Sequence, residues 1–466
     1  MVVVQASKLT LPNPSLFSPH ITSVLFEPSS LSLALMHSDS SFSLYPSFSP
    51  LSSSSSSFPS LHTLIPSPSS SSTFLLLQSS NPNSTPRVLF IVSGPRKAGS
   101  EVLLRFYILR KSKAFAKARV LCSQKDLRFE SNLGVLVNAK HGVSIKLAGS
   151  INYFAMYSVS SSKIWVFGAK MEGGDGGDDD SVVVKLMRCA VVECSKPIWS
   201  LSISFGFLLL GEENGVRVFN LRRLVKGRDN KAKSLKSDIR GSSLPNGIIG
   251  NDYRKHGARD RGSKSHGIEG LSEVTCNGDV EWKIGKHRGP VKQMNAKFRQ
   301  DDRDGGVCFV ALKRYDVETK SSAKVSISTK AVSIQALSQR KFLVLDSAGD
   351  LHLLCLDNSV VGANMTGHMR QLTRTMKVQN MAIHPDVSMI SQTAWISDGH
   401  NTVHVVAIDV DNASNATDGN DGDDKLPHLP VVQVIFSGER IQDVISLASN
   451  AVLILGQGSL YAYAIS

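Results

Sequence analysis

Few residues of this chain combine the type and the spacing that chemistry requires. Gly456-Gln457-Gly458 has the composition of a phosphate loop. It leads into Ser459-Leu460-Tyr461, an alternating strand, and not into a helix whose free N–H groups could hold an anion. A tight hairpin is the better reading. Residues 172–180 (Glu-Gly-Gly-Asp-Gly-Gly-Asp-Asp-Asp) and 409–425 carry many carboxylates, as a calcium loop would. Neither has the Asp-x-Asp-x-Asp-Gly spacing with a distal Glu that would place oxygens around one cation. His352 and His384 stand in or beside apolar strands, where a packed or solvated imidazole is expected. No nucleophile elbow, Walker loop, dinucleotide fingerprint or H-E-x-x-H occurs. The sequence therefore reads as a non-enzyme with no cofactor and no metal.

The remaining chemistry is electrostatic. The chain has 466 residues, a formal net charge of +13 and a pI near 9.4. Between Arg222 and Gln300 there are 19 Lys and Arg against 8 Asp and Glu, so most of the excess sits in one stretch. Its clusters are Arg254, Lys255, Arg259 and Arg261, then Lys286 and Arg288. Such an arm suits nucleic acid, an acidic protein or the nuclear import machinery. The competing reading is a solvated, disordered loop. Only Tyr253, Trp282 and Phe298 interrupt the basic residues, so no base-stacking platform is expected.

What must carry these segments is a repeat. About seven times the chain runs apolar strand, polar turn, apolar strand, tight turn, apolar strand. The first copy is Ile21 to Pro28, Leu31 to Met36 and Phe42 to Tyr45, with a turn at His37-Ser38-Asp39. The second uses Thr73 to Gln78, Val88 to Ser93, Glu101 to Leu109 and Ala116 to Cys122. The third runs from Val143 to Val192, the fourth from Ile198 to Phe219, and the fifth from Val332 to Leu356. The sixth runs from Val378 to Phe436 and the seventh from Ile441 to Ile465. Period-2 alternation gives strands with a buried face, and repeats of this size imply a propeller. The seventh copy has three strands. Val2 to Ala6 is the natural fourth, which would close the ring and remove an open edge. The fold expected is all-β: a seven-bladed β-propeller closed by an N-terminal strand, over residues 1–466, with long loop insertions. Four segments are expected as loops: 47–72 (Ser/Pro-rich), 172–180 (acidic, Gly-rich), 222–305 (basic) and 409–425 (acidic).

The rhythm resembles the WD40-like propeller superfamily. The resemblance lies in the strand order, since Trp165-Val166 and Trp199-Ser200 do not match the family's Trp-Asp pair. Gly367-His368 is similar to its Gly-His pair but lies before an outer strand. The resemblance implies a protein-interaction scaffold. Turns between second and third strands would share one face, so Asp39, Glu213, Asn214, Asp398 and His400 are candidate partner-binding residues. A propeller enzyme would instead need a dense cluster on the inner strands, and those offer only Asp443, His384 and Gln335. The alternative function is a nucleic-acid-associated propeller acting through 222–305.

Six cysteines lie mostly in apolar runs without a C-x-x-C pair, as expected of buried thiols in a reducing compartment. No long apolar run suggests a membrane span. The nucleus or cytoplasm is the expected location. The Ser-rich, nearly uncharged first 86 residues resemble a plastid transit peptide, which is the alternative.

Overall fold

A computed structural model describes residues 4–9, 19–50, 62–79, 85–124, 127–130, 132–172, 182–226, 296–299, 306–312, 328–357, 365–372, 376–384, 391–409 and 430–465. The basic clusters at 254–261 and 286–288 lie outside them, as do residues 173–180 and 410–425. The described residues form seven sheets, antiparallel but for two short parallel pairings, each numbered here as a blade.

Blade 1 runs Ile21–Glu27, Ser32–His37, Phe42–Tyr45, Thr63–Ile65 from first to fourth strand. Blade 4 is Ser200–Ser204, Phe207–Glu212, Gly215–Asn220, Val307–Ala311. Blade 5 is Ala331–Ser338, Lys341–Asp346, Leu351–Leu356, Gly367–Gln371. Blade 6 is Asn380–Ile383, Ser391–Ser397, Thr402–Asp409, Val431–Phe436. Blades 2 and 3 begin with Ser71–Leu77 and Ile145–Gly149 and carry extra strands. Blade 7 is Asp443–Ala448, Ala451–Leu455, Leu460–Ile465, and its fourth strand is Val4–Leu9 from the other end of the chain.

Two observations make this a ring. The first strand of every blade touches the first strands of the blades before and after it, and the series closes from blade 7 onto blade 1. Seven apolar cores also occur, one between each pair of neighbours, the seventh joining blades 7 and 1 through Leu33, Leu35, Leu453 and Leu460. Alternation explains this: the second and third strands of the blades are buried on both faces, against a different neighbour on each. In blade 6 the row Ala382, Trp395, Val405 packs toward blade 7, while Ile383, Ala394, Ile396 and Val406 pack toward blade 5. The closing pair is antiparallel and in register from Val4 opposite Ile465 to Leu9 opposite Leu460, as expected from the unpaired seventh copy.

Three places depart from the expectation. Ala116 to Cys122 is not one outer strand. Phe115–Lys117 pairs with one end of Glu101–Leu109, and Gly134–Val137 pairs with the other. Arg119–Leu121 leaves blade 2 and pairs, in parallel, with Val183–Glu193 of blade 3. Second, the Ser/Pro-rich segment 47–72 contains the fourth strand of blade 1, Thr63–Ile65, and a buried Phe48. Three residues between Ser and Pro are too few to announce a strand. Third, the basic segment 222–305 is structured at its two ends. Helix Leu221–Lys226 buries Leu221 and Leu224 in the core between blades 3 and 4, and Ala296–Arg299 buries Phe298 there.

The outer edge of blade 3 is consequently covered. Arg119–Leu121 pairs beside Val183–Lys185 and Ala296–Arg299 beside Ala190–Glu193. Between them the Gln124 carboxamide donates to Arg188 O at 2.9 Å and accepts from Arg188 N at 2.6 Å. A side chain thus completes the pairing that would otherwise leave edge groups open.

Candidate functional site

In an antiparallel blade, the turn from second to third strand and the connection into the first strand fall on one face. Here the turn is bonded to the connection into its own blade in blades 1, 3, 5 and 7, and to the connection into the next blade in blades 2, 4 and 6. Ser38 N donates to His20 O in blade 1, and His141 N to Gly99 O at blade 2. Lys140 N donates to Ser161 Oγ in blade 3, and Asn214 N to Thr329 O at blade 4. Ser347 N donates to Lys330 O in blade 5, Ile441 N to His400 O at blade 6, and Gly458 N to Glu439 Oε2 in blade 7. Each turn is thereby tied down, which gives a rim of fixed turns.

The turns themselves are shaped by short polar side chains. Asp39 Oδ1 accepts from Ser41 N at 2.9 Å and Ser41 Oγ at 2.7 Å. The Ser41 hydroxyl and amide hold the Asp39 carboxyl below its ordinary range. Asp398 Oδ1 accepts from His400 N at 2.9 Å, and Asn214 Oδ1 from Thr329 N at 3.1 Å. Asn214 adopts φ of 63°, a left-handed conformation that Asn tolerates better than most residues. Glu213 accepts from Ser328 Oγ. The structure therefore brings Asp39, Glu213, Asn214, Asp398 and His400 to one face, and it engages most of their polar groups in building turns.

Beneath the turns lies a second layer that sequence reading missed. In five blades the last residue of the second strand is polar and at least half-buried: His37, Ser158, Glu212, Asp346 and Ser397. His37 Nε2 bonds Ser43 Oγ at 2.8 Å. Glu212 takes Arg217 Nε at 2.6 Å, with Phe309 stacked 5.1 Å from the guanidinium. Asp346 bonds His352 Nε2 at 3.0 Å and accepts Ala348 N and Asp350 N at 2.9 Å each. Burial pushes the Asp346 carboxyl up, but these bonds outweigh it and hold the group below its ordinary range. Ser158 and Ser397 accept from Ser161 N and Gly399 N, both at 3.1 Å. The signal was present as a polar residue ending an apolar strand, in Leu-Ala-Leu-Met-His, Phe-Ala-Met-Tyr-Ser and Phe-Leu-Val-Leu-Asp.

Strand order, ring closure and these polar ties decide the fold. This is a seven-bladed β-propeller. No family model matches the chain, and no curated protein sequence does. Among solved structures, the chain is similar to the Cps50 (Swd1) β-propeller domain of Myceliophteria thermophila, with 9% identity, TM-score 0.43 and 100% of each chain covered. It is also similar to the RRP9 WD40 repeats, at 7% identity and TM-score 0.43 over 100% of each chain. A third is U3-55K, at 7% and 0.41, over 99% of this chain and 98% of that one.

On the propeller's turn face one aromatic residue stands out. Trp199, just before the first strand of blade 4, is 36% exposed. Lys330 Nζ sits 3.9 Å from the centre of its ring, and Val332 beside Lys330 is exposed. Lys146 from blade 3 donates to the Trp199 carbonyl, and burial lowers the Lys146 pKa. The sequence singled out Trp199 only as a failed Trp-Asp pair.

The inner strands use their polar groups between blades. Gln335 donates to Met381 O at 2.6 Å and accepts from Ile383 N at 2.9 Å, joining blades 5 and 6. Asp443 accepts from Val444 N at 2.9 Å and is bonded by the Val24 amide of blade 1. Among the described residues no group of three His, Cys, Asp or Glu could hold a metal ion, and no helix is long and apolar enough to cross a membrane. Burial pushes the Cys189 and Cys194 thiols up to about 12 and Cys308 to about 11, which makes them poor nucleophiles.

Asp443 yields a pH prediction. Burial raises its carboxyl from 3.8 to about 6, against the two amide bonds. The folded chain thus holds this proton more tightly than the unfolded one. Its contribution to stability is greatest below about pH 4, falls as pH rises through 4–6, and is constant above. The full shift corresponds to about 3 kcal/mol. Asp443 keeps part of its surface open, so about 1–2 kcal/mol is expected. Asp443→Asn keeps an acceptor for the Val444 and Val24 amides without the charge. Thermal melts should place it above the parent at pH 7.5 and level with it at pH 4; equal melting at both pH values would contradict the assignment.

Proposed function

We propose that this propeller is a non-catalytic scaffold that presents its turn face to protein partners in a multiprotein complex, in the nucleus or the cytoplasm. The observation that carries this reading is the fixed rim: seven turns, each bonded to a connection between blades, with Trp199, Lys330 and Val332 left at its surface. A rigid platform lowers the ordering cost of binding, and an exposed Trp flanked by cations is the kind of group that dominates interface energies. Asp39, Glu213, Asn214, Asp398 and His400 serve here as the shape of the rim, and His400 as a side chain open to a partner. Removal of the N-terminus as a plastid transit peptide would take away Val4–Leu9 and blade 1, which favours an uncleaved chain outside the plastid.

The test is affinity purification with quantitative mass spectrometry, comparing the parent chain with Trp199→Ala. Partners held on the turn face should fall at least roughly tenfold in the variant, as for an interface hot spot. An unchanged partner set would move the binding surface elsewhere, and the absence of any stable partner would refute the scaffold.

A further inference from the structure

The first strands touch one another around the ring, so their starting ends surround the mouth of the central channel on the turn face. Across the seven blades, the residue before each first strand and the first two within it include three charged side chains. These are Lys146, Lys330 and Asp443, with His20 as the other titratable group. The Asp443 carboxyl is engaged by the Val444 and Val24 amides. The two lysines come from blades 3 and 5 and meet on either side of Trp199 in blade 4. Lys146 donates to the Trp199 carbonyl, and the Lys330 ammonium lies 3.9 Å from the centre of the Trp199 ring. Neither ammonium forms an ion pair with a carboxylate among the described residues. Burial lowers the Lys146 pKa with no anion beside it to offset the cost. Glu213 stands across a backbone bridge from Lys330, but its side chain accepts from Ser328 Oγ. Three stretches outside the described residues lead into a first strand: 10–18, 313–327 and 373–375. Together they hold five Lys and Arg against two Asp and Glu, so their sequence supplies no acidic excess.

We propose that this mouth docks an acidic, extended segment of a partner protein, with a Glu or Asp carboxylate on Lys146 and Lys330 and an apolar neighbour on Trp199 and Val332. The proposal names the partner chemistry of the turn face and rests on the scaffold reading. Lys330 and Val332 are two apart on one strand, so they project to the same side and offer charge and apolar surface together. A carboxylate there would meet cations whose desolvation is already partly spent, and the exposed Trp supplies the anchor. A phosphate group fits less well, because these positions hold no arginine to grip it bidentately. A nucleic-acid base also fits less well. Lys330 already covers a face of the Trp199 ring, and no second Phe, Tyr or Trp stands at these positions to stack the next base.

The experiment probes the full chain with an array of short peptides whose central residue is Glu, Gln, Lys or phosphoserine and whose other positions are degenerate. The parent should hold Glu-centred peptides roughly tenfold more strongly than Gln-centred ones, as for a close interfacial charge pair. Lys146→Gln/Lys330→Gln keeps a donor for the Trp199 carbonyl and should bring that ratio to about one. Lys330→Glu alone keeps the proposal falsifiable if the double variant does not fold, and should turn the preference toward Lys-centred peptides. Equal binding of Glu-centred and Gln-centred peptides by the parent overturns the proposal, as does a Glu preference that survives in the folded variants. A preference for phosphoserine over Glu overturns it too, as does binding of a labelled single-stranded RNA in place of the peptides. Trp199→Ala separates this proposal from the scaffold reading. Peptides that the parent binds whatever their central residue, and that this variant loses, overturn the acidic specificity alone and leave the scaffold standing.

Discussion

Replacing Glu212 by Ala is expected to destabilise the ring by about 3–5 kcal/mol, the cost of leaving a buried charge without its partner. Glu212 is 0% exposed and its partner Arg217 only 11% by side chain. Two bonds join them, Nε to Oε1 at 2.6 Å and Nη2 to Oε2 at 3.2 Å. With the carboxylate gone, the guanidinium loses both of these bonds, and the Phe309 ring above it contributes only about 0.5–2 kcal/mol as a cation on an aromatic face. The double change Glu212→Leu/Arg217→Met should recover most of the loss, because apolar residues of similar volume remove the need for compensation. Chemical denaturation of the two variants checks this. Equal destabilisation by the single and the double change would mean that the pair acts through packing and not through charge.

The second large effect concerns the strand Val4–Leu9. Deleting residues 1–10 removes six in-register pairs along Leu460–Ile465 and takes Leu9 out of the core between blades 7 and 1. Backbone hydrogen bonds contribute about 0.5–1.5 kcal/mol each and a buried leucine about 1.5–3 kcal/mol. The expected loss is thus about 5–12 kcal/mol, read by calorimetry as a lower Tm. The deletion also exposes Leu460–Ile465 as an open apolar edge, so concentration-dependent aggregation should accompany it. A deletion variant that melts with the parent and stays monomeric would remove the closing role from this strand.

Most of the ring could be read from the sequence because two-sided burial leaves long apolar runs. Phe342 to Asp346 and Leu351 to Leu356 can be nothing but paired strands once Gly349 is seen at the turn, with φ of 82°. The missing fourth strand of the last copy was legible because an unpaired edge demands a partner; the strand is Val4–Leu9, which overlaps the expected Val2 to Ala6 at residues 4–6. Short or irregular outer strands were not legible. Thr63–Ile65 sits among Ser and Pro, and the split outer strand of blade 2 is set by which parts of Glu101–Leu109 remain unpaired, a property of the sheet and not of local composition. The site was read by position and only partly by role. The turn residues do share a face, yet the Asp39, Asn214 and Asp398 side chains fold back onto their own turns. Trp199, Lys330 and Lys146 come from three blades and meet only in the ring, so no spacing in the sequence links them.

Ring closure is the claim on which the turn face depends, and a register-specific cross-link tests it most directly. Ser7 lies opposite Ala462, while its diagonal neighbour Tyr463 points to the other side of the sheet. Under mild oxidation the variant Ser7→Cys/Ala462→Cys should form an intramolecular disulfide, seen as a loss of about 2 Da in intact mass, since directly opposed strand residues lie within disulfide reach. Ser7→Cys/Tyr463→Cys should not. A cross-link in the second variant and none in the first, or dimers only in both, would contradict a propeller closed by its own first strand.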